Sequence, residues 1–490
     1  MRTSLIPAFW LLVTLSLASC GSTSSSGPRT SGVPYRAFVS NSVNGGSGAG
    51  LLIVNAETDL RPLNVGPISA GSTPGMMVVT PNRAQTLVVT SASNCSPTPP
   101  SPACQFSIIS NAAESNAANL TLPGFTESVV ISPDSSTAYV AVPNAKVENS
   151  DPGAIELYGL GGQTPGSPAG EVDIPSVQYL AIDNGGDRLL AFSPNSTTNP
   201  NSVAVVTPSN LGTSNPVVTY VVVTNQPFDH PVQAFFSSDD TTAYVINCGP
   251  ECGGSQASIQ TIDMTTSPPT AGGSGVTCLA GRCLGTVNNF PAGSVGLVNG
   301  TTMYVAGTPY NTNGQPSQPC TGQTTAAQTC GVLSVIDLST LTVVGSASAI
   351  ITDGYHNRIA LGPNGQLFIG ARTCTEIIPS TPPPAGAEVR GCLSIYNTLT
   401  TAVGTVPSGG VVIPPANGDV TGIQPIANRD VVYLVQGYPT PGGSLFIYCT
   451  VVDVDNNCPT ADGLQTAPAN VPTYGPLMVG SFYDVKTVDF

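Results

Sequence analysis

Charge is what this chain lacks most. Only 8% of its 490 residues are Asp, Glu, Lys or Arg, against roughly 25% in an ordinary soluble domain. The few charges lean one way, with 28 acids against 13 basic residues and a net charge of −15. The only lysines are Lys146 and Lys486. A chain this poor in cations cannot neutralise a phosphate backbone, which excludes nucleic acid as a partner. Histidine occurs only at positions 230 and 356, so the usual general base near neutral pH is almost missing. The single tryptophan, Trp10, sits in the first segment. Gly-x-Ser-x-Gly, phosphate-loop and His-Glu-x-x-His patterns are all absent, so sequence points to no catalytic machinery or cofactor of those kinds. After residue 17 no apolar run is long enough to cross a bilayer as a helix.

What is present begins with an export signal. Arg2 is followed by the apolar run Leu5 to Leu17, too short for a stable spanning helix. It ends in Leu17-Ala18-Ser19-Cys20-Gly21, which resembles the lipobox of bacterial lipoproteins. The resemblance implies cleavage before Cys20 and attachment of lipid to its thiol. Residues 1–19 are then a signal peptide. Residues 20–34, mostly Gly, Ser, Thr and Pro, are a flexible lipidated tether. The expected location is the bacterial cell envelope, facing periplasm or exterior, with the lipid as the membrane attachment. An ordinary secretory signal with a chance cysteine is the alternative.

The other twelve cysteines form six close pairs along the chain: Cys95/Cys104, Cys248/Cys252, Cys278/Cys283, Cys320/Cys330, Cys374/Cys392 and Cys449/Cys458. An even count in an exported protein reads as disulfides, and local pairing is the simplest connectivity. Zinc at Cys248-x-x-x-Cys252 would need further ligands that the nearby sequence does not supply. Asp453-Val454-Asp455-Asn456-Asn457 begins like a calcium loop. However, Cys458 stands at the glycine position and Leu464 at the closing glutamate, so no metal is expected.

A repeat organises residues 35–490. An apolar strand leads through a short polar turn into a second strand, as in Val129-Val130-Ile131-Ser132-Pro133-Asp134-Ser135-Ser136-Thr137-Ala138-Tyr139-Val140 and again around Phe236–Tyr244. Eight second strands can be counted: Tyr35–Val39, Thr86–Thr90, Thr137–Val142, Arg188–Phe192, Thr242–Ile246, Thr302–Ala306, Gln366–Gly370 and Val431–Val435. The first four start 51 residues apart. This predicts an all-β chain folded as a single β-propeller of four-stranded blades, eight in number, with seven the alternative. The chain opens on a second strand and ends on a first strand, Phe482–Val488. The C-terminal strand is therefore expected to join the N-terminal blade and close the ring, leaving no open edge. The recurring turn acids Asp134, Asp239, Asp240 and Asp337 read as structural, because Asp accepts backbone N–H bonds in tight turns.

Tyr244-Val245-Ile246-Asn247 and Val335-Ile336-Asp337-Leu338-Ser339-Thr340 resemble the second and third strands of the YVTN-type β-propeller family, within the lactonase-like superfamily. The resemblance spans residues 35–490, with most copies loose. It implies the fold and leaves function open. Lactonase propellers use His, Glu and Arg around the central channel, and no such set aligns here residue by residue. The nearest candidates sit where first strands are entered: Glu127, Asp229, His230, Asp353, Tyr355, His356 and Arg358. Ordinary loop roles for both histidines remain the alternative. Long loops (Ser91–Cys104, Thr308–Gly331, Arg372–Gly391) and four of the six cysteine pairs fall on the same expected face as these residues, which marks it as the working face. Three roles compete: a binding or scaffold module for protein or glycan, a propeller hydrolase with its site at the channel, and a structural envelope component. The missing catalytic set favours the first. A monomer is expected.

Overall fold

A computed structural model describes residues 30–42, 49–96, 103–146, 151–162, 164–208, 217–223, 227–271, 277–279, 282–284, 286–287, 292–309, 331–344, 349–372, 374, 393–399, 411–412, 419–438, 443–449 and 476–489. Eight sheets, antiparallel except for the edge pair Val222–Val223 with Thr270–Ala271, form a ring, which decides between eight blades and seven. The innermost strands are, in blades 1 to 8, Phe482–Thr487, Pro74–Val79, Ser128–Ile131, Tyr179–Ile182, Pro231–Phe236, Val295–Asn299, Tyr355–Leu361 and Asp419–Pro425. A separate small ladder, Thr277–Leu279 with Arg282–Leu284, places Cys278 directly opposite Cys283.

The strand sequences follow from where each strand lies. Middle strands have another blade against each face, so their centres are apolar: Arg36–Asn41, Gly50–Asn55 and Gln85–Thr90 are buried nearly throughout. The outermost strand Ser115–Thr121 alternates exposed and half-buried residues, and its sequence is accordingly polar. Cores form between blades. Leu87, Val89, Phe106 and Ile108 of blade 2 meet Val129, Val140 and Val142 of blade 3. Each such side chain contributes on the order of 1.5–3 kcal/mol on burial.

The ring closes as the sequence predicts. Strand Phe482–Thr487 pairs antiparallel with Arg36–Asn41, setting Val39 opposite Val485 and Asn41 opposite Phe482. Blade 1 then packs on blade 8 through Val39, Tyr433 and Ile447, and on blade 2 through Phe38, Ile53 and Met77. Charge locks the same junction. The fully buried Arg36 guanidinium donates to both Asp489 carboxylate oxygens, at 3.0 and 2.7 Å, and to Glu114 at 2.9 Å. Asp59 of blade 1 accepts from Arg429 Nη2 of blade 8 at 2.6 Å and from the Tyr433 hydroxyl.

First-to-second-strand turns emerge on one face of the ring, the turn face. Third-to-fourth-strand turns emerge on the same face, whereas second-to-third-strand and blade-to-blade connections emerge on the opposite face or along the rim. The turn acids act within this scaffold. Asp134 accepts from Ser132 Oγ at 2.5 Å and Ser136 N at 2.9 Å. Asp239 accepts from Ser237 Oγ and Thr241 N, and Asp337 from Ser339 N. Asp240 reaches the next blade, accepting from Asn184 N and Gly185 N at 3.0 Å each.

Candidate functional site at the channel mouth

Inner strands run from the mouth face toward the turn face, so the residue just before or at the start of each one rims the central channel. A cavity of about 280 Å³ opens there. Its wall takes Met76 from blade 2, Ser128 to Val130 from blade 3, Tyr179 from blade 4, Gln233 from blade 5, Val295 from blade 6, Tyr355, Asn357 and Arg358 from blade 7, and Tyr483 from blade 1. Glu127, one residue ahead of the blade 3 inner strand, and Arg372, at the end of the blade 7 second strand Gln366–Arg372, complete the polar lining.

These groups share one electric field. Burial pushes the Tyr179 hydroxyl well above its ordinary pKa, and Tyr355 and the Glu127 carboxylate push it further. Burial also raises Tyr355, with Glu127 reinforcing the shift and Arg372 opposing it. Tyr483 is raised by burial against the opposing pull of Arg358 and Arg372. All three phenols therefore stay protonated and can donate hydrogen bonds through the physiological range. Arg358 is held in position by two carbonyls. Its Nε donates to Thr421 O of blade 8 at 2.7 Å, and its Nη1 to Asn357 O at 2.9 Å.

Of the residues singled out by sequence, Glu127, Tyr355 and Arg358 come together in this wall. The other four take up places in the scaffold. His356 is fully buried, its Nε2 lies 3.0 Å from Thr352 O, and burial pushes its pKa down to about 4. Gly331 packs so close that a Cβ there would stand 2.7 Å from the His356 ring. His230 has a left-handed backbone, φ 56°, held by an N–H bond to Asn201 Oδ1 at 2.9 Å, and its ring meets Asn195 Oδ1 at 3.1 Å. Asp229 closes the neighbouring loop, accepting from Ser255 Oγ at 2.7 Å and Gln256 N at 2.6 Å. Asp353 is buried and does not line the cavity.

Beside the cavity lies an acid that sequence reasoning passed over. Glu251 sits in the short 3-10 turn Gly249–Cys252, bracketed by the Cys248–Cys252 disulfide. Its Oε2 accepts from Thr308 N at 2.8 Å, which ties the blade 5 loop to blade 6, and burial pushes its pKa up to about 8. The signal was its place as the one acid inside the tightest cysteine pair. Tyr179 and Tyr483 were missed as well. Like Tyr355, they stand at or near the mouth ends of inner strands, and that recurrence was their signal.

A second disulfide joins Cys95 to Cys104, and Cys374 is also disulfide-bonded. Cys20, Cys320, Cys330, Cys392, Cys458 and the Asp453–Asn457 segment lie outside the described residues, as do the side chains of Cys278, Cys283 and Cys449. Among the described residues no group of three or more His, Cys, Asp or Glu is arranged to hold a metal ion.

No family model and no curated protein sequence matches the chain. Solved structures do. Dihydro-heme d1 dehydrogenase NirN superimposes with a TM-score of 0.53 at 10% identity, covering 93% of this chain and 75% of that one. A eukaryotic initiation factor gives 0.47 at 12%, covering 93% and 98%. The periplasmic gluconolactonase PpgL of Pseudomonas aeruginosa gives 0.44 at 13%, covering 92% and 98%. At these identities the likeness is one of fold, and the fold that this chain shares is the β-propeller.

Proposed function

We propose that the chain is a lipid-anchored envelope propeller of YVTN-type repeats that binds a ligand at its channel mouth and does no chemistry on it. The observation that carries this reading is the composition of the cavity wall. It holds one carboxylate, two guanidinium groups, three phenols, two amides and the hydroxyls of Thr90, Thr126, Ser128 and Ser294; neither histidine reaches it, and among the described residues no hydrogen bond joins Glu127 to one of those hydroxyls. That set can bind and orient a polar molecule, while a base–nucleophile pair is missing from it. An exposed end group of a glycan or protein matches such a mouth in size and polarity.

The course of the chain supports a consistent orientation. Thr30 and Ser31, in the last part of the proposed tether, hydrogen-bond to Glu114 at 2.5 to 2.7 Å on the turn-face side of blade 2. Within this reading the end of the tether is docked on the face opposite the channel mouth.

The test is calorimetric titration of the full lipoprotein, solubilised in detergent, against panels of oligosaccharides and short peptides and against lactones. Saturable binding without turnover, abolished by Glu127→Gln with Arg358→Gln, is the expected result. Catalytic consumption of a lactone, or ligand binding untouched by the double variant, overturns the reading.

A further inference from the structure

We infer that the mouth cavity is built for a zwitterion, with the cationic end of the ligand at blade 3 and the anionic end at blade 7. This rests on the cavity being a ligand site, as proposed above. Blades 3 and 7 are four apart in a ring of eight, so Glu127 and Arg358 stand on opposite walls of one channel.

Each of these charges lacks a counter-charge of its own. Among the described residues Glu127 makes no hydrogen bond or ion pair. Among the described residues Arg358 has only carbonyl partners, through Nε and Nη1. Four other arginines, Arg36, Arg188, Arg372 and Arg429, each have a carboxylate within 3.5 Å, while Arg83, like Arg358, donates to a carbonyl. Glu127 is solvent-exposed and Arg358 half-buried, and the ring sets these two opposite charges on different blades of one cavity without a direct pair. Asn357 Oδ1, also in the wall, is buried without a hydrogen-bond partner.

The chemistry of each wall fits the assignment. Glu127 of blade 3 lies near the hydroxyls of Tyr179 from blade 4 and of Tyr355, which reaches toward it from blade 7, and an ammonium group gains from both a carboxylate and aromatic rings. On the blade 7 side the guanidinium of Arg358, with Arg372 beside it, suits a carboxylate. A purely anionic ligand would face repulsion from Glu127, and a neutral sugar would leave both charges unmatched.

The probes are ω-amino acids of rising spacer length (4-aminobutanoate, 6-aminohexanoate, 8-aminooctanoate), with hexanoate and hexylammonium as single-charge controls. All are titrated into the full lipoprotein in detergent. The expected result is that one spacer length binds about tenfold or more tighter than either control, roughly 1.4 kcal/mol. Glu127→Gln should remove its advantage over the carboxylate, and Arg358→Gln its advantage over the ammonium. Hexanoate matching the best zwitterion, with Glu127→Gln without effect, overturns the inference in favour of an anion site. If no probe binds while an oligosaccharide or peptide still does in a Glu127- and Arg358-dependent way, the zwitterion falls and the binding-module reading stands. The spacer series on the unmodified protein decides the matter even if a variant misfolds.

Discussion

The two faces of the ring handle their polar atoms in opposite ways. On the turn face, acids are satisfied: Asp134, Asp239 and Asp240 accept short local or cross-blade bonds, and Asp183 pairs with Arg188 at 3.0 Å. The ring-closing ion pairs of Arg36 and Arg429 lie toward this same side. At the mouth, buried polar atoms without a hydrogen-bond partner collect. They include Ser193 Oγ, Ser202 Oγ, Glu251 Oε1, the Nδ1 atoms of His230 and His356, Asn357 Oδ1, Thr421 Oγ1 and Gln436 Nε2. Tyr396, toward the turn face, is an exception. Native proteins leave such atoms where something other than stability is served. The turn face holds the fold, and the mouth is where we propose that a ligand binds.

The sharpest way to break this comparison is to exchange a charge on each face. Arg36→Met leaves Asp489 and Glu114 as buried, uncompensated acids at the closure, and should cost about 3–5 kcal/mol. Arg358→Gln at the mouth should cost far less stability while reducing ligand binding. Urea unfolding of both variants measures this, and equal losses would erase the distinction between the faces.

Next in size is the stapled mouth loop. Replacing Cys248 and Cys252 together by Ser frees a loop whose closure contributes about 2 kcal/mol through the unfolded chain. It also releases Glu251 from Thr308. Stability should fall, and so should affinity for any mouth ligand, because the loop ties blade 5 to blade 6 beside the cavity. Loss of stability with full affinity would separate the loop from the site.

A pH titration sharpens the contrast without a large perturbation. The Glu251 pKa is raised from 4.5 to about 8 in the fold, so the folded state binds more protons than the unfolded state between those values. Its contribution is complete below 4.5 and is lost as pH rises toward 8. His356 runs the other way. Lowered from 6.5 to about 4, it costs stability as pH falls from 6.5 toward 4. Glu251→Gln should flatten the alkaline decline, measured as the midpoint of urea unfolding across pH. An unchanged slope would assign the decline to another group, Glu156 first, whose pKa burial and Glu171 push up to about 7.

The scaffold was far more legible in the sequence than the site. All eight counted second strands are second strands of blades, and the unpaired strands at the chain ends do close the ring. Both follow from backbone periodicity, which recurs every blade. The turn acids were legible for the same reason: Ser132-Pro-Asp134 specifies its own hydrogen bonds locally. The cavity wall is assembled from seven inner strands spread over more than four hundred residues, and each supplies one to three residues. No local pattern says that Tyr179, Arg372 and Tyr483 converge. Histidine drew attention as a residue type, yet His356 sits beneath the wall because Gly331 opens a slot for its ring.

The smallest expected effect tests the turn face alone. Asp134 is exposed, and its carboxylate accepts from Ser132 Oγ and Ser136 N, which lowers its pKa. Ser135 between them has a left-handed φ of 62°, so the carboxylate stabilises a turn that Ser would not adopt readily by itself. Asp134→Ala removes both bonds and should cost at most about 1 kcal/mol, since exposed hydrogen bonds compete with water. Asp134→Asn keeps an acceptor oxygen and should recover most of that loss. The lowered pKa makes the contribution present above the ordinary carboxylate range and lost at lower pH, so the gap between Asp134 and its Ala variant should narrow in acid. Ligand binding at the mouth should be identical in all three proteins. A change there would mean that the two faces are coupled through the inner strand Ser128–Ile131, which leads from Glu127 directly to this turn.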